Sequence, residues 1–220
     1  VRSSLLNDKL NIDISGYQMN LTDAILPFYN QYGGQSYRNS GNTNQKGIEA
    51  TLYYEAINRE TGFITLLKPW VTFAYSNYRF KNYVEESFDY GSGEVIKKDI
   101  SGNKVTGVSP NMINAGADIE TSNGLYFNTV LNYVSKTPVN DLNTYHQDSY
   151  TLLAAKIGYQ FAVESISLDV FAGGNNLLNQ KYSSWVSFNA DANSLPPQFF
   201  NPSPATNFYG GVSLKYHFNH

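Results

Sequence analysis

Apolar and polar residues alternate along most of this chain, most regularly in the segment 208–218. Its apolar residues share one side, with Gly210 between them, and its polar residues share the other. A period of two predicts a β-strand. The length also matches the ~9–11 residues that a tilted strand needs to cross a bilayer. The apolar side consists of Phe208, Val212, Leu214, Tyr216 and Phe218.

The same alternation recurs in seven segments upstream. Together with 208–218 they predict an all-β chain of about eight strands. The first segment loses its phase near Gly16, which predicts a β-bulge at that glycine. The seven segments are 10–26, 48–55, 71–79, 113–120, 125–134, 151–161 and 168–175.

The connections between these strands alternate strictly between short and long. Bacterial outer-membrane barrels are antiparallel up-and-down meanders with short periplasmic turns and long outer loops. The pattern therefore predicts part of a transmembrane β-barrel whose last strand descends to the periplasm. The short and medium turns are 122–124, 162–165 and 58–64, and the long loops are 27–36, 82–106, 136–148 and 185–206.

The alternative is a soluble antiparallel sandwich, whose outward side should be polar and charged. Here the second side of the strands is mostly Gly, Ala, Ser, Thr and Asn, which suits the lining of a wide lumen. A transmembrane helix is not expected, because no run of 18 apolar residues occurs. Barrel strands average out to mild hydrophilicity, so the mean hydropathy of -0.38 is compatible with a barrel.

Composition supports strands joined by polar loops. Charged residues make up 15% of the chain, below the ~25% of ordinary soluble domains. There are 18 tyrosines, many asparagines and no cysteine, so disulfides and thiolate metal sites are excluded. The net charge of -3, without a basic stripe, gives no reason to expect a nucleic-acid partner.

No catalytic arrangement is evident, so an enzyme, a cofactor and a metal centre are not expected. The three histidines are His146, His217 and His220. His146 with Asp148 admits a metal site, but a solvated loop histidine is the simpler interpretation.

The long loops are the predicted ligand-binding surface, because their aromatic rings offer rigid, flat contact area. The same rings would alternatively pack the loops or join the interfacial aromatic belt. Arg79, near a strand end, would pair with an anionic ligand if it points into the lumen, or would form a structural ion pair. The loop 82–106 is net acidic, which weighs against a strongly anionic ligand. The ligand-binding candidates are Arg79, Tyr145, His146, Trp185, Phe188, Phe199 and Phe200.

Four segments resemble TonB-dependent outer-membrane receptors. The stretch 173–185 is similar to the penultimate strand of that family, with an Asn-Leu pair followed by Lys-Tyr. The stretch 37–52 resembles a recurrent Asn-x-Gly…Gly-Ile-Glu strand, and 105–120, with Pro110, resembles the strand after the next long loop. The ending 204–218 resembles the closing strand, although Pro-Ala-Thr replaces the usual Pro-Gly-Arg-like turn. The matching residues are Asn176, Leu177, Lys181, Tyr182, Asn39, Gly41, Gly47, Ile48 and Glu49.

The resemblance implies a 22-stranded barrel closed by an N-terminal plug, located in the bacterial outer membrane. Residues 1–220 would be the C-terminal segment of that barrel, without the plug and the first strands. Such an arc would leave two unpaired edges, so it should not transport alone. The implied partners are outer-membrane lipid, the TonB protein through the missing N-terminal part, and the barrel-assembly machinery, which would recognise Phe218.

The resemblance implies energised import of a scarce nutrient, most often a ferric siderophore. One alternative is a glycan importer of the starch-utilisation type, whose closing strand usually carries an arginine where this chain has Asn207. A passive porin or a structural barrel is the other.

Overall fold

The computed structural model describes residues 1–23, 25–29, 35–39, 42–89, 91–190 and 199–216. Within them the chain forms antiparallel strands, and no helix there is long and apolar enough to cross a membrane. The strands are β1 (Arg2–Leu5), β2 (Leu10–Leu21), β3 (Ile25–Tyr29), β4 (Gln35–Asn39), β5 (Asn42–Tyr54), β6 (Ile57–Asn58), β7 (Ile64–Lys81), β8 (Val84–Asp89), β9 (Glu94–Asp99), β10 (Asn111–Thr121), β11 (Leu125–Val134), β12 (Thr137–Pro138), β13 (His146–Gln147), β14 (Tyr150–Val163), β15 (Ile166–Asn175), β16 (Ser183–Val186), β17 (Phe200–Pro202) and β18 (Asn207–Tyr216).

One ten-stranded antiparallel sheet organises the molecule. Its strands follow chain order, β1-β2-β5-β7-β10-β11-β14-β15-β18, with β6 beside β7. All eight predicted strands belong to it, so the predicted all-β meander is confirmed. The sequence pattern missed β1 and β6, which are too short to show a periodic signal.

The connections have the predicted alternation of lengths. We call the end with the turns after β1, β5, β10 and β14 the short-turn end, and the opposite one the long-loop end. Each of the four long connections contains its own hairpin: β3–β4, β8–β9, β12–β13 and β16–β17. The long loops are thus partly ordered by backbone pairing, which apolar periodicity does not reveal.

The pairing register separates two faces of the sheet. Ile48 pairs with Tyr75 on what we call the apolar face, and Gly47 pairs with Tyr17 and Ser76 on the mixed face. Many large side chains on the apolar face are exposed, which is the pattern of a lipid-facing band. Members of the apolar face include Ile14, Ile48, Phe73, Ile113, Leu131, Ile157, Val170 and Val212.

On the mixed face, aromatic rings lie across glycines of the neighbouring strand. A Cβ atom added to any of these glycines would approach a ring to less than 3.0 Å. The hydroxyls of Tyr17 and Tyr78 meet 2.7 Å apart across the strand that holds Gly47. Residue 47, before Ile48 and Glu49, is a glycine because the Tyr17 ring occupies the space of a side chain there. The ring–glycine pairs are Tyr17–Gly47, Trp70–Gly116, Tyr126–Gly158, Tyr209–Gly173 and Phe171–Gly211.

The bulge predicted at Gly16 is wrong. Pairing between β2 and β5 runs without a shift from Leu10–Tyr54 to Leu21–Thr43. Beyond Gly16 the apolar residues move to the mixed face, while Gln18 takes the apolar face. The change of phase reflects a strand that extends past the apolar band, not an extra backbone residue.

Strand β7 is longer than its predicted span, 71–79, at both ends. Pro69 lies where the β5 ladder ends, at the pair Tyr53–Trp70, and before the β6 ladder begins at Ile57–Leu67. A proline is tolerated there because the ladder on that side is interrupted. The predicted strand began only at residue 71 because the sequence alone does not show that the ladder beside Pro69 is interrupted.

The two edges of the described sheet are β1 and β18. In the described part of the chain, β1 pairs with β2 and β18 pairs with β15, and the path between them does not close. Phe208 and Val212 of β18 are correspondingly exposed, at 78% and 68%. Phe218, His217 and His220 lie outside the described residues, so the assembly-signal role of Phe218 stays a prediction.

Candidate functional site

The most buried side chains lie at the long-loop end and not in the middle of the sheet. Phe80, Tyr83 and Ile100 form an apolar cluster, and Val139 is fully buried. We call the packed connections 82–110, 135–149 and 176–206 the loop cap, of which residue 90 and residues 191–198 are outside the described part. The cap forms because these loops bury side chains against one another.

Connections 82–110 and 135–149 are joined mainly by amide hydrogen bonds. The Lys104 N–H donates to Asn143 Oδ1 at 2.7 Å, and Asn143 Nδ2 donates to the Lys104 carbonyl at 2.9 Å. Asn143 therefore pairs with the backbone as a strand residue would. The Gly107 N–H donates to the Pro138 carbonyl at 2.9 Å and extends the same junction.

Asp141 connects all three parts of the loop cap. Its side chain is 1% exposed and accepts a hydrogen bond from the Thr106 hydroxyl at 2.5 Å. The Asp141 N–H donates to Asn189 Oδ1 at 2.8 Å, and the Asn189 N–H donates to the Val139 carbonyl at 3.0 Å. The sequence shows only an Asn- and Asp-rich turn here, so Asp141 was missed.

Three predicted ligand-binding residues come together in the loop cap. The ring centroids of Tyr145 and Phe199 are 5.0 Å apart, and those of Phe199 and Phe200 are 6.0 Å apart. Phe199 is only 3% exposed and packs the loops, as the alternative interpretation expected. Tyr145 and Phe200, near half exposure, present ring surface to solvent.

Trp185 and Phe188 occupy other parts of the same connection. Phe188 lies against Gly107, where an added Cβ atom would meet the ring at 2.8 Å. This contact joins connections 176–206 and 82–110. Trp185, on β16, pairs with Asn201 of β17 and is 65% exposed. Of the two, Trp185 offers the larger free ring surface.

Arg79 does not point toward the mixed face. It pairs with Asn44 and with Lys104, and it shares the apolar face with Tyr75 and Asn77. Its Nη1 donates to the Gly102 carbonyl at 2.6 Å and its Nε donates to Asn77 Oδ1 at 3.0 Å. The lumen-facing geometry on which its ligand-binding role depended is therefore wrong, because β7 extends past the apolar band with an unchanged register.

His146 lies on β13, opposite Pro138. Partial burial, followed by the positive charges of Lys136 and Lys104, lowers the pKa of the imidazole, and Asp148 opposes this. In the described part of the chain, no three His, Asp or Glu side chains are placed to hold a metal ion. The geometry fits an uncharged loop histidine.

We predict that His146 titrates below the ordinary histidine pKa of about 6.5. Lys136→Gln should raise its pKa, because it removes a facing positive charge. In the unsubstituted protein, the neutral imidazole favours the folded loop above about pH 6.5, the pKa of an unfolded histidine. This stabilisation is lost as the pH falls through the lower pKa that His146 has in the folded loop. NMR of histidine-labelled protein, with His146→Gln for assignment, measures the midpoint. A midpoint at or above that of a free imidazole would contradict the burial argument.

Charge on the mixed face is segregated by depth. In the described strands of the sheet, every charged side chain on this face except Arg2 lies at the middle of its strand or nearer the short-turn end, and Arg2 pairs with Asp13 at that depth. The half toward the long loops carries amides, hydroxyls, rings and aliphatic side chains such as Leu152. The charged residues are Arg2, Asp13, Glu49, Lys68, Asp118, Glu120, Lys156, Asp169 and Lys215.

A recess of about 430 Å³ opens in this uncharged half, beneath connection 176–206. Its lining combines the polar side chains Asn132, Asn175, Asn207 and Tyr182 with apolar ones that include Val130, Leu152 and Pro204. The rings of Tyr182 and Tyr150 are 5.1 Å apart at its border. The polar groups donate and accept hydrogen bonds without charge and the rest of the lining is apolar, so the recess suits a neutral ligand with some apolar surface.

Asn176 holds the base of the same connection. It is 5% exposed and adopts φ 49°, in the left-handed region that asparagine tolerates. Its Nδ2 donates to the Gln180 carbonyl and its Oδ1 accepts from the Gln180 N–H, both at 2.9 Å. The Thr206 hydroxyl donates to the Asn176 carbonyl at 2.6 Å, which ties the two ends of the loop together.

A sequence model of one protein family, described as TonB dependent receptor-like, beta-barrel, matches residues 1–177. The members of that family are transport receptors of the Gram-negative outer membrane and not enzymes.

Solved receptors share the fold. The siderophore receptor PiuA from Acinetobacter baumannii aligns with a TM-score of 0.69 at 15% identity, over 97% of this chain and 27% of that one. The ferric yersiniabactin uptake receptor FyuA from Yersinia pestis aligns with 0.66 at 16%, over 99% and 29%. The ferric citrate transporter FecA aligns with 0.64 at 17%, over 94% and 29%. This chain thus spans less than a third of the length of each receptor.

Proposed function

The chain belongs to the TonB-dependent receptor β-barrel family, and on this premise we propose that it is part of an outer-membrane importer of ferric siderophores. The observation that carries the proposal is the pair of partly exposed rings, Tyr145 and Phe200, held by the loop cap at the long-loop end. Rigid rings offer flat contact area at low entropic cost to a compact chelate.

We further propose that the chain is the C-terminal segment of a larger barrel. The open path from β1 to β18 and the share of each solved receptor that it spans support this. Lipid does not tolerate an unpaired strand edge, so β1 and β18 would each pair with strands outside this sequence. TonB would act through the missing N-terminal part, and a plug would fill the lumen.

A glycan importer is the second candidate. The uncharged outer half of the mixed face favours it, because amides and rings recognise neutral sugars as readily as a neutral ferric chelate. The same feature weighs against a strongly anionic ferric complex, which would call for arginine or lysine at these positions. The ligand is thus expected to be neutral in either case.

The proposal predicts that Tyr145→Ala with Phe200→Ala weakens siderophore uptake on the order of tenfold, since the two ring contacts together contribute about 1–3 kcal/mol. Radiolabelled iron uptake is measured in cells that lack the full-length gene and carry each variant. Phe63→Ala is the matched control, because Phe63 is 66% exposed at the short-turn end. Gene deletion without any change in growth on ferric siderophores would refute siderophore import, and loss of growth on oligosaccharides instead would favour the glycan importer.

A further inference from the structure

The apolar face carries only basic charges. In the described strands of the ten-stranded sheet, its charged residues are Lys46, Arg79 and Lys81, and no Asp or Glu shares that face. Lys104, which precedes β10 in the chain, belongs with them because it pairs directly with Arg79. All four side chains are exposed. We call these four residues the basic cluster.

Arg79 lies at the centre of the basic cluster. Lys104 is its direct cross-strand neighbour, and such partners have Cβ atoms about 5 Å apart. Lys46 pairs with Asn77, which places it diagonally from Arg79 at roughly 7–8 Å. Lys81 is two residues along the same strand, about 7 Å away. Three ammonium groups can therefore converge on one anion beside the guanidinium.

The guanidinium of Arg79 is already oriented. Its bonds to the Gly102 carbonyl and to Asn77 engage two of its five N–H donors. A fixed planar fork is well suited to two oxygens of one phosphate group. The lysines add positive charge, and their flexible side chains do not require one fixed orientation of the phosphate.

The basic cluster borders the apolar band on the long-loop side. The next row of the same face toward the short-turn end is the exposed pair Ile48–Tyr75. On the proposed outer-membrane location, this border is where the headgroups of the outer leaflet would begin. Charge at this border is local to β5 and β7, because the outermost apolar-face residues of the other strands from β10 onward are Asn111, Tyr133, Thr151, Gly174 and Phe208.

We propose that Lys46, Arg79, Lys81 and Lys104 form a binding site for the phosphate groups of a glycolipid headgroup in the outer leaflet. The site rests on the proposed outer-membrane location, with the long loops facing outward, and is independent of the imported ligand. Basic side chains at a membrane surface attract anionic headgroups, and a cluster with no acidic neighbour on its face leaves that attraction uncancelled. The lipid would anchor the outer ends of β5 and β7.

The test is lipid binding by the full-length receptor in neutral detergent, followed by native mass spectrometry. The probes are diphosphoryl lipid A, the same lipid without phosphates, and inorganic phosphate. Arg79→Gln with Lys104→Gln should weaken diphosphoryl lipid A binding on the order of tenfold, since each basic residue contributes several-fold. Lys97→Gln with Lys98→Gln, on β9, is the matched control and should change binding less than twofold. Heat-modified gel migration confirms that each variant is folded.

Three outcomes would overturn the proposal. These are unchanged lipid binding by the Arg79/Lys104 variant, equal binding of the lipid without phosphates, and displacement by millimolar inorganic phosphate. Iron uptake by the wild-type receptor is measured separately. A receptor that fails to import siderophores but binds diphosphoryl lipid A through this cluster would refute the proposed function and keep the lipid site.

Discussion

Gly124→Ala should destabilise the barrel by roughly 2–5 kcal/mol, the sum of left-handed backbone strain and local overpacking. Gly124 has φ 91°, and a Cβ atom there would approach the Gln160 carbonyl oxygen to less than 3.0 Å. That oxygen belongs to the backbone of β14, so it cannot rotate away. The Gln160 N–H also donates to the Gly124 carbonyl at 2.8 Å, so a shift of the turn would loosen the β11–β14 junction.

Gly102→Ala is the matched control, because Gly102 has nearly the same φ, 90°, and nothing within 4 Å of its Cβ position. Its cost should be the strain alone, about 1–2 kcal/mol. The temperature at which the full-length protein loses its compact form on SDS gels measures both variants. Equal shifts for the two alanines would show that contact with β14 contributes nothing.

Asp141→Ala should open the loop cap. The change leaves the partly buried Thr106 hydroxyl without its acceptor and creates a gap at the fully buried position 141, at a cost of about 1–3 kcal/mol. The carboxylate holds connection 135–149 against connection 82–110, whereas the N–H that donates to Asn189 is kept in the variant. The loss should therefore expose these two connections to protease. Limited proteolysis of the full-length protein, with cleavage sites read by mass spectrometry, measures the effect.

Two variants sharpen the result for Asp141. Asp148→Ala removes an exposed carboxylate from the same connection and should leave the proteolysis rate unchanged. Asp141→Asn keeps an oxygen that can accept from Thr106, so it should resist protease better than the alanine variant. Equal sensitivity of the alanine variants at 141 and 148 would refute the role of Asp141 as a junction.

The strands were predictable because lipid imposes a simple pattern on them. The sheet strands β10, β11, β14, β15 and β18 each present one apolar side, so alternation located them to within a few residues. The pattern weakened where β5 and β7 extend past the apolar band, since both sides are polar there. A period of two carried on from Val71, Phe73 and Tyr75 places Arg79 on the apolar face, and the pairing with Asn44 shows that this phase is kept to the end of the strand.

The loop cap was predictable only in part. Aromatic content marked Tyr145, Phe199 and Phe200 as residues of interest, but their meeting depends on how two loops fold. The junction at Asp141 depends on Asn189 and Thr106, which are distant in sequence and have no periodic relation to it. Such contacts are chosen by the shape of the folded loops, so composition can indicate a polar turn and no more.

The assembly of the loop cap from separate connections has a consequence for recognition by antibodies. A surface that combines Tyr145 with Phe200, brought together through the buried ring of Phe199, is a discontinuous epitope, because its parts meet only on folding. Antibodies raised against a linear peptide such as 136–148 would recognise a conformation that the folded loop does not adopt. An immunogen for this surface must present the folded loops together, with the hydrogen bonds between Asp141, Asn143 and their partners intact.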